Sequence, residues 1–98
     1  MPSEITWLPG VAKDIERLRD FLKSKSPVAA QRAAMRILEG ANILKDNPRA
    51  GVPVKELVDL QDLILTFGSG EYIIRYRVEV GQVVIARVRH SREKDWSE

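Results

Sequence analysis

Apolar residues recur along the chain in two different rhythms. Val11, Ile15, Leu18 and Leu22 follow one another at spacings of four, three and four, which puts them on one face of a helix. Lys13, Asp14, Arg17 and Asp20 fall largely outside that face. Pro9 suits the first turn, where a missing amide hydrogen costs nothing, so the spacing predicts a helix from about Pro9 to Lys25. Ser26-Pro27 begins a second one, with Ser26 as cap and Pro27 at the first position. Ala30, Ala33 or Ala34, Ile37, Ala41 and Leu44 continue it, and Asp46-Asn47-Pro48 stops it because proline biases the residue before it away from helix. Two amphipathic helices with one short break read as a helical hairpin.

The rest of the chain reads as strand and turn. Glu4-Ile5-Thr6-Trp7 alternates polar and apolar residues and predicts a short first strand. Residues 49–59 contain Gly51 and Pro53 and read as a loop. Leu60 to Phe67 is apolar enough for a strand, Gly68-Ser69-Gly70 for a turn, and Tyr72 to Glu79 is rich in aromatic and β-branched residues. Gly81 marks a hairpin turn before a last strand, Val83 to His90, and Ser91 to Glu98 is a charged tail. The order is β-α-α-β-β-β, an α+β class of fold in which the N-terminal helical hairpin packs on an antiparallel sheet. Trp7, Tyr72 and Tyr76 are expected in its core.

Length and composition narrow the function. Ninety-eight residues, 44% apolar and 31% charged, fit a single domain, 1–98, and exclude a disordered chain. There is no cysteine and one histidine, His90, so a thiol nucleophile, a disulfide scaffold and a multi-histidine metal site are excluded; the expectation is no metal and no cofactor. No apolar run approaches the ~18 residues of a membrane span, and Met1 to Leu8 lacks the basic start of a secretory signal. A soluble cytoplasmic protein that does not engage membranes is expected.

Charge is unevenly spread. Residues 72–92 hold Arg75, Arg77, Arg87, Arg89 and Arg92 against Glu79, whereas residues 1–71 hold ten basic and ten acidic residues. This concentration suggests an anionic partner, with arginines snorkelling from a sheet face as the alternative. Whether Arg75, Arg77, Arg87 and Arg89 share a face depends on register. A three-residue loop at 80–82 pairs Arg75 with Arg87 and brings the four together; a two-residue loop pairs Arg77 with Val84 and splits them. Arg75 opposite Arg87 is repulsive unless an anion lies between them.

At the level of motifs the chain resembles the RelE/ParE superfamily of toxins from type II toxin–antitoxin modules, its ParE-like branch most closely. The resemblance rests on Ile5-Thr6-Trp7-Leu8-Pro9 leading into Ala12-Lys13-Asp14-Ile15, on Ser26-Pro27 with Ala30, on Leu44, Asn47-Pro48 and Gly51, on Tyr72-Ile73-Ile74-Arg75-Tyr76-Arg77-Val78, and on Val88-Arg89-His90-Ser91-Arg92-Glu93. It implies the RelE/ParE-like fold and a toxin neutralised by a cognate antitoxin, ParD-like or similar. ParE-like members inhibit DNA gyrase without catalysis of their own; RelE-like members cleave messenger RNA on the ribosome. DNA would be met only through the antitoxin.

RelE-like toxins use lysines on the strand corresponding to Leu60–Phe67, an arginine after the tyrosine matching Tyr72, another near the end of the last strand and a C-terminal tyrosine. Here the strand has no lysine, Ile73 follows Tyr72, the tail carries Trp96 instead of tyrosine, and Arg92 is the one retained cation. Gln61 stands where ParE-like relatives often carry arginine. The resemblance therefore implies a gyrase inhibitor, with Arg75, Arg77, Arg87, Arg89, Arg92 and Trp96 as candidate target-binding residues. His90 and Arg92 are the catalytic candidates if the chain is a ribonuclease. An apolar groove of the helical hairpin, with Ile15, Leu18, Leu22 and Ile37, is the candidate antitoxin site.

Overall fold

A computed structural model describes residues 3–68 and 70–93. The elements run β1 (Glu4–Trp7), α1 (Pro9–Lys23), α2 (Pro27–Asp46), β2 (Val52–Pro53), β3 (Gln61–Phe67), β4 (Gly70–Glu79) and β5 (Gln82–His90). The five strands form one sheet in the order β1-β5-β4-β3-β2, and both helices lie over one of its faces. The β-α-α-β-β-β succession read from the sequence holds, with a short extra strand, β2, inside the loop expected over 49–59. The sheet is mixed. β3, β4 and β5 run antiparallel as expected, while β1 lies parallel to β5, pairing Glu4–Trp7 with Gln82–Ile85. A parallel neighbour needs a crossover rather than a turn, and everything between β1 and β5 serves as that crossover.

The helix boundaries follow their local chemistry. Pro9 opens α1 behind Leu8, whose carbonyl takes the Val11 N–H. Ser26 caps α2, its hydroxyl accepting from Ala29 N at 3.2 Å. The apolar faces of the helices meet Tyr72, Ile74 and Tyr76 of β4 and Val83, Ile85 and Val88 of β5, which are fully enclosed. Trp7, half-buried on β1, packs on this cluster.

The β4–β5 hairpin settles the register in a way neither simple alternative describes. A two-residue turn at Val80 and Gly81 pairs Glu79 with Gln82 and Arg77 with Val84. Then Tyr76 pairs with Ile85 and Arg75 with Arg87, leaving Ala86 as a bulge. An extra residue re-phases everything beyond it. Arg75, Arg77, Arg87 and Arg89 consequently share the sheet face turned away from the helices.

The bulge falls where β1 stops. Up to Ile85 the outer edge of β5 is paired by β1. Past it, the edge is covered by α1, and Asp14 supplies the acceptor that a neighbouring strand would have provided. Its Oδ2 accepts the Val88 N–H at 3.0 Å. Asp14, expected outside the apolar face, is thereby buried. An acceptor is needed there because a buried β5 amide under a helix otherwise goes unpaired.

Candidate functional site

The arginine face is the first candidate, and its charges are answered from within. Arg75 is gripped by Asp62, which faces it across β3, through Nε at 3.0 Å and Nη2 at 3.1 Å. Arg87 reaches round the β5 edge to Asp14, with Nε 2.8 Å from Oδ2 and Nη2 3.0 Å from Oδ1. The repulsion expected between Arg75 and its opposite number Arg87 is thus relieved by two carboxylates, one from each side. Arg77 pairs with Glu79, and Arg89 donates to the Glu93 carbonyl at 2.9 Å. Three arginines of the basic stretch are thus ion-paired, Arg75 and Arg87 with acids from distant parts of the chain and Arg77 with Glu79 of its own strand.

Asp14 is the hub. Beside Arg87 and Val88 N it accepts from Arg17 Nη1 at 2.7 Å. Burial raises its pKa, but the hydrogen bonds from Arg87, Arg17 and Val88, with Arg87's charge, reverse that and hold the carboxyl below its ordinary value. Arg17 in turn holds Glu93 through Nε at 2.9 Å and Nη2 at 3.2 Å. Glu93 also accepts the His90 N–H at 2.9 Å. The turn after β5 is therefore latched to α1.

That turn closes a cleft at one end of the molecule. Leu18, Phe21 and Leu22 of α1, with Phe67 and Tyr72 from the sheet, wall a cavity of about 240 Å³, with Lys25, His90 and Arg92 also lining it. Tyr72 is enclosed, and its hydroxyl has no hydrogen-bond partner among the described residues. Burial raises its pKa, helped by the nearby Glu93 charge. His90 stands edge-on to the Tyr72 ring at 5.2 Å. Its Nδ1 accepts the Arg92 N–H at 3.0 Å. Its Nε2 lies so near Gly70 that a Cβ there would stand 2.6 Å away. Burial, then the Arg92 charge, lowers the His90 pKa, with Glu93 opposing. Nδ1 is thus occupied by the turn after β5, while the ring also lines the cleft.

The remaining candidates scatter. Trp96 lies outside the described residues. Leu18 and Ile37 are filled core positions under the sheet, and Ile15 and Leu22 pack partly buried against them. The apolar helix residues that do face solvent are Phe21, Val28, Met35, Leu38 and Ile43. Gln61 sits beneath the sheet, its Oε1 3.1 Å from the Tyr76 hydroxyl. Sequence reasoning missed Asp14 and Asp62. For Asp62 a signal existed, since it is the one acid in a strand that pairs with an arginine-bearing strand. Among the described residues no cluster of three or more metal-ligating side chains occurs, and no helix is long and apolar enough to cross a membrane.

Comparison with known proteins agrees with this architecture. The sequence model of the ParE toxin of type II toxin–antitoxin systems, parDE, matches residues 5–95. Toxin RelE3 of Caulobacter vibrioides is 36% identical over 86 residues, covering 88% of this chain and 91% of the relative. Toxin RelE2 of the same organism is 33% identical over 89 residues, covering 91% and 96%. Among solved structures, the chromosomal ParDE toxin–antitoxin system from P. aeruginosa shares the fold with a TM-score of 0.72 at 20% identity, over 88% of this chain and 92% of that one. The chain belongs to the ParE toxin family of type II toxin–antitoxin systems.

Proposed function

We propose that this toxin acts by binding a protein, DNA gyrase, and so blocks replication, rather than by cutting RNA. The observation that carries this reading is the ion-pair lattice on the sheet. Cleavage at a 2′-hydroxyl needs a base, an acid for the leaving group and cations poised on the phosphate. In this chain Arg75, Arg77 and Arg87 are each held by a carboxylate. β3 carries no lysine, and His90 Nδ1 already accepts the Arg92 N–H. A second reading, ribosome-dependent cleavage of messenger RNA, draws on the RelE names of the two relatives and on His90 and Arg92 sharing one cleft. Mapping transcript ends in cells induced for the toxin separates the two. Intact ribosome-bound transcripts in growth-arrested cells are expected; new cuts within codons would overturn the gyrase reading.

The neutralising partner on this reading is a ParD-like antitoxin, in keeping with the ParDE system that shares the fold. Val28, Met35 and Leu38 follow one another along α2 at spacings of seven and three, and all are more than half exposed. The α1–α2 hairpin, residues 9–46, carries eight basic and five acidic residues. An acidic amphipathic segment complements such a surface in both apolarity and charge. Antitoxin at a hundredfold excess over its dissociation constant should stabilise the toxin by about 2.7 kcal/mol, raising the melting temperature by roughly 10 °C or more. Met35→Asp should abolish most of that rise while leaving the melting point of the toxin alone within a few degrees.

A further inference from the structure

Between β2 and β3 the chain forms a closed seven-residue loop, 54–60. Val54 N donates to the Leu60 carbonyl at 2.9 Å, and two further bonds of 3.3 Å tie Leu57 to Val54 and Leu60 to Leu57. Within this loop Glu56 and Asp59 hold φ values of 73° and 70°, in the left-handed region that is uncommon for residues with a Cβ, aspartate entering it more readily than glutamate. Left-handed non-glycine backbone such as that of Glu56 clusters at functional positions. The loop also turns outward what a solvated turn ordinarily lacks. Val58 is 86% exposed, Leu57 44%, and Val52 on the adjoining strand 56%. Single exposed apolar residues are commonplace; two consecutive ones held at the tip of a strained, internally bonded loop and flanked by carboxylates are a shaped surface.

We propose that this loop is the element with which the toxin grips its protein target: Leu57 and Val58 enter an apolar cleft, and Glu56 and Asp59 meet cationic groups at its margin. The inference rests on the protein-target reading above and names the surface that serves it. Charge separates this occupant from the antitoxin. The helical hairpin is net basic and suits an acidic segment, whereas the loop sets Glu56 and Asp59 against Lys55 and repels one. An enzyme that handles DNA presents basic clefts, and an acidic apolar tip fits them.

The test uses two variants of the full chain. Val58→Lys removes the apolar tip and opposes a cationic margin. Asp59→Gly deletes a carboxylate while suiting the left-handed backbone, and its melting temperature reports whether the fold is kept. Each is measured for growth arrest without antitoxin, for gyrase inhibition, for antitoxin affinity and for melting temperature. The expected result is that Val58→Lys no longer arrests growth and needs about tenfold more protein for the same loss of supercoiling. Asp59→Gly is weakened several-fold, and antitoxin affinity and melting stay unchanged in both. Full activity of Val58→Lys would overturn the inference, and so would a parallel loss of activity and antitoxin binding. If the parent arrests growth without touching supercoiling, the gyrase reading fails separately. Growth arrest then decides the loop: its loss in Val58→Lys supports the grip, and its retention overturns it.

Discussion

Replacing Asp14 with alanine should destabilise the protein by about 3 kcal/mol, enough to lower its melting temperature by on the order of 10–20 °C. Four donors lose one acceptor: Arg87 Nε and Nη2, Arg17 Nη1 and the Val88 N–H. The amide is buried and has nowhere else to turn. Both guanidinium groups are about one-third exposed and regain water, which keeps the cost at the lower end of the range for breaking a buried pair. Arg17 also loses part of what aims it at Glu93, so the turn after β5 should loosen together with β5 itself. Hydrogen exchange at Val88 and His90 should rise together in the variant, whereas a change confined to α1 would contradict the hub.

The same carboxylate makes stability depend on acid. Its pKa is depressed in the folded protein, so its contribution is complete above the ordinary carboxylate value of about 3.9 and is lost as pH falls through the lower, folded value. The parent should therefore lose stability in acid more steeply than Asp14→Asn, and the two melting curves should converge once the carboxyl is protonated.

Tyr76→Ala should cost about 3–5 kcal/mol and stands as the second large effect. The ring is fully enclosed, and its hydroxyl fastens the chain between α2 and β3. The hydroxyl lies 2.8 Å from the Pro48 carbonyl and accepts the Gly51 N–H at 2.9 Å. Gly51 fits because a Cβ there would stand 2.6 Å from the Tyr76 oxygen. Tyr76→Phe keeps the packing and removes the bonds. It should cost about 1–2 kcal/mol and speed amide exchange at Gly51. Since β2 leads directly into the 54–60 loop, the same variant should weaken toxicity more than it weakens antitoxin binding.

These sites also mark where the sequence was legible. The two helices are written in their apolar spacing and in Ser26-Pro27, and the three antiparallel strands in β-branched runs broken by glycine. Core roles for Tyr72 and Tyr76 follow from their alternation with Ile74. What the pattern does not carry is long-range. The bulge at Ala86 leaves no local mark, since it answers the end of β1 pairing some eighty residues earlier in the chain. Asp14 reads as a surface acid on a helical wheel and is buried because Val88 needs an acceptor. The arginine run reads as a cationic patch because two of its counter-charges, Asp14 and Asp62, come from other segments and converge on it only in the fold. That convergence bears directly on function, since those pairs are what weigh against a phosphate-handling surface.

The central claim, that this toxin acts on gyrase through protein contact, is most directly tested by titrating the purified protein into a supercoiling reaction with bacterial gyrase and relaxed plasmid. Loss of supercoiling that grows with dose and is reversed by pre-mixed antitoxin is the predicted result. Unchanged supercoiling by a preparation that still arrests growth when expressed would contradict it.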